Sequence, residues 1–247
     1  MQRRKAGTKT NGAFAAILVV LGSLTLPRPL IAKDSAKDAT WGGLAVIERG
    51  SPTAPRAVIL IHGYGSRPDD LVPLAEALAA RVDARFIVPA APRPFRGGGG
   101  GRVWFDQHLP DAQAQIRAAR SEIDGVIETL QARGIDSRHV IVAGFSQGAI
   151  LSIEMALAGR HPLCGIAVLS GRALSHPAKS YQRLAGLSIF SSHGRYDDRV
   201  PYLRGDLFVK RARSSGAEVH FEAFDGGHEM PTPIVTALGD WLAERCR

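Results

Sequence analysis

Ser146 sits in Gly144-Phe145-Ser146-Gln147-Gly148, behind the apolar run Val140-Ile141-Val142-Ala143 and ahead of a helix-like segment. A serine on a tight strand-to-helix turn has its hydroxyl pushed into the open, and flanking glycines let neighbouring backbone pass without Cβ clashes. Such a serine is a candidate nucleophile. Its hydroxyl is almost fully protonated at neutral pH, so attack needs a general base, and the base needs an orienting carboxylate. Both residue types follow downstream, each at the end of a strand-like run. Residues 187–192 leave into a polar loop that carries Asp197 and Asp198, and residues 221–224 end in Gly226-Gly227 with His228 at the tip. Spacing alone leaves the two aspartates as alternatives.

Acyl transfer also needs fixed donors for the negative charge on the former carbonyl oxygen. Ala57-Val58-Ile59-Leu60-Ile61 reads as a buried strand running into His62-Gly63-Tyr64-Gly65. A loop in that place presents one backbone N–H and the residue after the nucleophile presents the other, which makes Tyr64 and Gln147 the expected oxyanion donors. His62 precedes the nucleophile and ends a strand, so it is expected to shape the loop rather than act as the base. The order serine, acid, histidine is that of an α/β-hydrolase.

Five segments together resemble the phospholipase/carboxylesterase family, which includes the acyl-protein thioesterases. They are His62-Gly63-Tyr64-Gly65, Trp104-Phe105-Asp106, Gly144-Phe145-Ser146-Gln147-Gly148-Ala149, His193-Gly194-x-x-Asp197-x-x-Val200-Pro201 and Gly227-His228. The similarity runs from about residue 42 to the C-terminus. It implies a Ser-Asp-His ester or thioester hydrolase without metal or cofactor, and it selects Asp197 over Asp198. It also places Trp104 and Phe105 near the site, where the rings either line an acyl pocket and bind substrate or fill core. Arg93, Arg96, Gly97–Gly101 and Arg102 depart from the family pattern. Their composition suggests a flexible surface loop, the alternative being a mobile basic rim that favours anionic substrates.

The amino terminus reads as an export signal. Arg3, Arg4, Lys5 and Lys9 form a basic region, Ala13–Leu26 is a 14-residue apolar run, and Ala32 precedes Lys33-Asp34. The run is too short for an ordinary transmembrane helix, so cleavage after Ala32 is expected, with an uncleaved anchor as the alternative. The chain then divides into a signal (1–32), a linker (33–42) and one α/β-hydrolase domain (43–247). The whole chain has 31 Lys and Arg against 23 Asp and Glu. Five of those basic residues, and no acidic ones, lie in the first 32, so the excess falls from +8 to +3 in the mature protein. Nucleic acid is therefore not an indicated partner; the expected partner is a small-molecule ester, with no stable membrane insertion after cleavage.

The remaining length suits one domain. Strand-like runs at 44–49, 57–62, 85–89, 139–143, 166–170, 187–192 and 217–224 alternate with helix-like segments at 69–82, 111–133, 147–159, 203–215 and 231–245. That alternation predicts a mostly parallel sheet covered by helices on both faces, without a large lid. The eight histidines lack zinc-site spacing. Cys164 and Cys246, the two cysteines of the chain, are able to pair in an oxidising compartment if geometry permits. The function expected is an exported, periplasmic or secreted serine esterase. A peptidase or polyester depolymerase on the same fold, or a non-catalytic binding protein, are the other readings.

Overall fold

The computed structural model describes residues 39–245; the expected signal, residues 33–38 of the linker and Cys246 lie outside them. The chain runs β1 (Ala39–Trp41), β2 (Leu44–Gly50), β3 (Ala57–Ile61), α1 (Val72–Ala79), β4 (Arg85–Pro89), β5 (Arg93–Pro94) and β6 (Arg102–Val103). It continues through α2 (Ala112–Ala132), β7 (Val140–Phe145), α3 (Gln147–Ala158), β8 (Gly165–Leu169), β9 (Ser188–Gly194), α4 (Tyr202–Ser214), β10 (Glu218–Phe224) and α5 (Thr232–Glu244). Eight strands form one sheet in the order β1-β2-β4-β3-β7-β8-β9-β10. β4, β3, β7, β8, β9 and β10 are parallel, while β1 and β2 add an antiparallel edge. β3, β4, β7 and β8 are buried along their whole length, as expected of strands covered on both sides.

The two faces of these strands feed two apolar layers. Ile59, Ile61, Val140, Val142, Ile166 and Val168 pack into the layer that also holds residues of α2, α3 and α4. Their alternates Val58, Leu60, Ile141, Ala143 and Ala167 pack into the layer formed with α1 and α5. The period-2 alternation of a strand is thus read twice, once on each face. Among the described residues no α-helix is added to the five that alternate with strands, and the fold is the α/β-hydrolase fold expected.

Residues 39–42 are not linker. Gly42 and Gly43, with φ of +59° and +84°, make the two-residue turn of a hairpin that pairs β1 with β2. Both central positions of such a turn need positive φ, which glycine adopts without a Cβ clash. The turn delivers Trp41 into the core, where it is buried with the Arg133 guanidinium 4.2 Å from its ring. A second departure lies at 93–103. Here β5 and β6 form a small antiparallel hairpin, and the five-glycine run lies in its loop, closed by the N–H of Phe95 on Gly101 O at 2.8 Å. Arg102 donates its guanidinium to the carbonyls of Ala91 and Pro92, and Arg93 donates to Trp104 O at 2.7 Å. Two arginines of the supposed basic rim are therefore struts for backbone, and Arg96 stays exposed. Cys164 is held in a disulfide.

Candidate active site

The sheet reverses its winding at β3: β4 is laid to one side of it and β7 to the other. Open α/β sheets bind ligands in the crevice beyond the strand ends at such a switch point. The loop after β3 carries Gly63 and Tyr64, and the turn after β7 carries Ser146. Ser146 has φ +55° and ψ −110° and caps the N-terminus of α3. It is one of two non-glycine residues with positive φ among those described, and strain of this kind persists only where the surroundings hold it. The holding is visible. A Cβ on Gly144 would come within 2.2 Å of Gly148 backbone, and one on Gly148 within 2.0 Å of Ile61 O. The N–H of Ser146 donates to Leu169 O at 2.9 Å. Strand, helix and the neighbouring loop are pressed together, and the serine is turned out where they meet.

His228 stands beside the elbow. Its ring packs on Phe145, the residue before the serine, with centroids 4.8 Å apart. Its Nδ1 lies 2.7 Å from Oδ2 of Asp197. The Asp197 side chain is buried and that of His228 is 16% exposed. Oδ1 of Asp197 accepts the N–H groups of Arg199 and Val200 at 2.9 and 2.7 Å. Burial alone pushes the Asp197 carboxyl up; hydrogen bonds from His193, His228 and Val200 outweigh it and hold the group well below the usual carboxylate range. Asp198 points away, 83% exposed, with Arg199 3.9 Å distant. The structure thus brings Asp197, and not Asp198, to the histidine.

A third side chain completes this corner. His193 is buried, and its Nε2 lies 2.8 Å from Val200 O and 3.3 Å from Asp197 Oδ2. Both neighbours are acceptors, so this nitrogen carries the proton. In the sequence His193 stands inside the His193-Gly194-x-x-Asp197 motif with no role of its own. The signal was its i, i+4 spacing from Asp197 at the end of a strand.

Gly63 borders the nucleophile closely: a Cβ placed on it would sit 3.4 Å from Ser146 Cβ. Tyr64 follows it, and Gln147 opens α3, where the first N–H groups of a helix have no partner within the helix. The backbone of both expected oxyanion donors therefore borders the serine. Behind them the structure is tightly tied. The N–H of Trp104 donates to Gln147 Oε1 at 2.9 Å, Gln147 Nε2 donates to Phe105 O at 2.7 Å, and Trp104 Nε1 donates to His62 O at 3.0 Å. Trp104 and Phe105 are 0% and 1% exposed. Their rings do not line an open acyl pocket in this structure but fill core beneath the site, because both backbone and indole are committed to holding the two loops together. The strand β6 and its bridge partner Ser66 add further ties: Gly65 N–H donates to Arg102 O and Arg102 N–H to Ser66 O, each at 2.9 Å.

His62 takes the structural part expected of it. It is fully buried; its Nε2 accepts the N–H of Ala91 at 3.1 Å, so the proton sits on Nδ1, which donates to Gly63 O at 2.8 Å. Burial pushes its pKa down to about 4, leaving it neutral at neutral pH. Among the described residues, no group of three or more His, Cys, Asp or Glu is arranged to hold a metal ion.

The chain is similar over most of its length to proteins already known. The phospholipase/carboxylesterase family profile matches residues 43–244. An acyl-protein thioesterase 1 from Neurospora crassa is 28% identical over 213 residues, covering 76% of this chain and 86% of that protein. The mouse lysophospholipase-like protein 1 is 26% identical over 175 residues, covering 65% and 73%. Among solved structures, esterase PE8 superposes with a TM-score of 0.73 at 26% identity, covering 81% of this chain and 98% of that one. A carboxylesterase from Mesorhizobium loti gives 0.70 at 25% identity, covering 81% and 95%. The chain belongs to the phospholipase/carboxylesterase family and is a hydrolase of the carboxylesterase type.

Proposed function

We propose that this protein is an exported serine esterase that cleaves carboxylic esters, and thioesters of similar shape, through an acyl-enzyme. The observation that carries the reading is a strained Ser146 at the head of α3 whose chain neighbour Phe145 packs on a histidine bonded to a buried carboxylate at 2.7 Å. Ser146 Oγ attacks the carbonyl carbon while His228 Nε2 takes its proton. Asp197 holds Nδ1–H and stabilises the imidazolium that forms. The N–H groups of Tyr64 and Gln147 hold the oxyanion, helped by the positive end of α3. Collapse of the tetrahedral intermediate expels the alcohol or thiol, which His228 protonates. Water, deprotonated by His228, then releases the acid and restores the serine.

The name of the Neurospora crassa relative supports thioesters as a second substrate class. Export rests on the basic region, apolar run and Ala32 of the amino terminus. An enzyme outside the cytosol meets small or environmental esters rather than acylated cytosolic proteins. Kinetics on p-nitrophenyl esters of increasing acyl length, with an acyl thioester and a peptide amide alongside, test the proposal. Turnover of esters with no cleavage of the amide is expected. Amide cleavage as fast as ester cleavage would make the protein a peptidase, and no turnover of any of them would make it a binding protein.

A further inference from the structure

At the end of β8 the chain turns sharply at Ser170, whose φ is +50°. Gly171 then passes over the first turn of α3, so close to Ala149 that a Cβ on the glycine would lie 2.4 Å from the alanine Cβ. Arg172 therefore leaves the chain beside the helix end that carries Ser146. On the opposite side, Gln107 lies two residues beyond Phe105, whose carbonyl is held by Gln147 of the same helix turn. Arg172 Nη2 donates to Gln107 Oε1 at 3.2 Å. Two loops anchored on the first turn of α3 thus meet through one guanidinium.

Among the described residues that guanidinium has no counter-ion. Arg172 is half-buried, and among the described residues no carboxylate lies within 4 Å of it. Other arginines near this edge are matched, Arg195 to Asp225 at 3.2 Å and Arg199 to Asp198 at 3.9 Å. The acid on the facing loop, Asp106, accepts the N–H of His108 on Oδ1 at 3.0 Å instead. Burial first, and the field of Arg204 second, push the Arg172 guanidinium down from its ordinary value. Arg204, in the first turn of α4, is a second cation without an acid in reach among the described residues. A half-buried cation bonded among the described residues to a neutral amide, and feeling the field of another cation, is left with unspent attraction for an anion.

We propose that Arg172, backed by Arg204, is a specificity residue that receives an anionic group of the substrate, so that the preferred esters carry a second, ionised acid group. This rests on the serine-esterase reading and names its substrate class. The basic rim that was the alternative reading of the 93–102 segment is not needed for it, since Arg93 and Arg102 there are committed to backbone.

The test compares matched pairs. On the acyl side, the p-nitrophenyl monoester of adipic acid is set against p-nitrophenyl hexanoate; on the alcohol side, para-acetoxybenzoate is set against para-acetoxybenzamide. The readout is the ratio of kcat/KM within a pair, in which a general loss of activity cancels. In at least one pair the anionic member is favoured by about tenfold at low ionic strength, the size of one charge-assisted hydrogen bond. That ratio shrinks as salt is raised. Arg172→Gln brings it close to one, and Arg172→Lys keeps part of it, since a point charge remains without the planar fork. Should Arg172→Gln fail to fold, the salt dependence of the unaltered enzyme and the Arg204→Gln variant, expected to lower the ratio, still decide. Ratios near one in both pairs, or a preference that survives Arg172→Gln, overturn the proposal while leaving the esterase reading intact. No turnover of any of the four esters overturns both.

Discussion

His193 and Asp197 are joined by an Nε2 to Oδ2 approach of 3.3 Å inside a corner closed to solvent, with the same Nε2 also 2.8 Å from Val200 O. One ring thereby fixes the loop that carries the acid and orients the acid itself. It touches neither serine nor substrate, so it acts through Asp197 as a positioning residue. His193→Ala is expected to lower kcat/KM by about 10², the scale of loss when catalytic geometry is loosened. Removal of a donor leaves a more basic carboxylate, so the acid limb of the rate profile moves to higher pH. His193→Gln, which keeps an N–H donor, should recover part of the rate. An unchanged acid limb in a folded His193→Ala protein would reduce this residue to a packing role.

Ser146→Ala should abolish ester turnover, with a loss approaching about 10⁶ in kcat as for other serine hydrolases, while leaving thermal stability near that of the unaltered protein. A fluorophosphonate probe should label the protein on one residue and leave the alanine variant unlabelled. Labelling that persists in Ser146→Ala would place the nucleophile elsewhere.

Asp197→Asn should cost about 10⁴ in kcat, because an amide cannot fix the required histidine tautomer or stabilise the imidazolium. Asp198 is exposed and 3.9 Å from Arg199 at its closest, so Asp198→Asn should leave the rate within about twofold, as exposed ion pairs contribute little. Steady-state kinetics on one neutral ester decides the order of the two.

Two pH effects are expected, with different origins. Because His228 must be neutral to accept the serine proton, kcat/KM on a neutral ester should fall on the acid side with a single ionisation. A rate that stays flat from about pH 8 to pH 4 would remove His228 as the base. Stability behaves differently. The carboxyl of Asp197 is held below its ordinary value in the folded state, so the unfolded chain takes up its proton first as pH falls. Its contribution is complete above about pH 5 and is lost progressively below that, as pH approaches the folded value. Urea midpoints of the unaltered protein and Asp197→Asn should therefore differ by a constant amount above about pH 5 and converge in more acidic solution.

Processing is open to direct measurement. The proposed export predicts a mature protein that begins at or near Lys33, and intact-mass analysis of periplasmic or medium fractions checks it. Full-length chain recovered solely with membranes would favour the uncleaved anchor.

Much of the scaffold and the chemistry was written in local patterns. Seven strands and the nucleophile turn were legible because apolar runs, their alternation and the glycines around Ser146 are imposed by neighbours along the chain. The hairpin at Gly42-Gly43 is equally local, since two successive glycines supply the positive φ that both turn positions need. What only the tertiary structure decided were the pairings between side chains distant along the chain. Residues alone left Asp197 and Asp198 equal, and they part only when the loop after β9 folds one carboxylate inward under His228 and the other into solvent. Trp104 and Phe105 were readable as pocket or core until Gln147 and His62, some 40 residues away in either direction, were seen to claim the backbone of both and the indole of Trp104. The charge of Arg172, unmatched among the described residues, is of the same kind. Whether an arginine finds an acid depends on which loops meet above the sheet, and that is settled by packing across the whole domain rather than by any stretch of sequence.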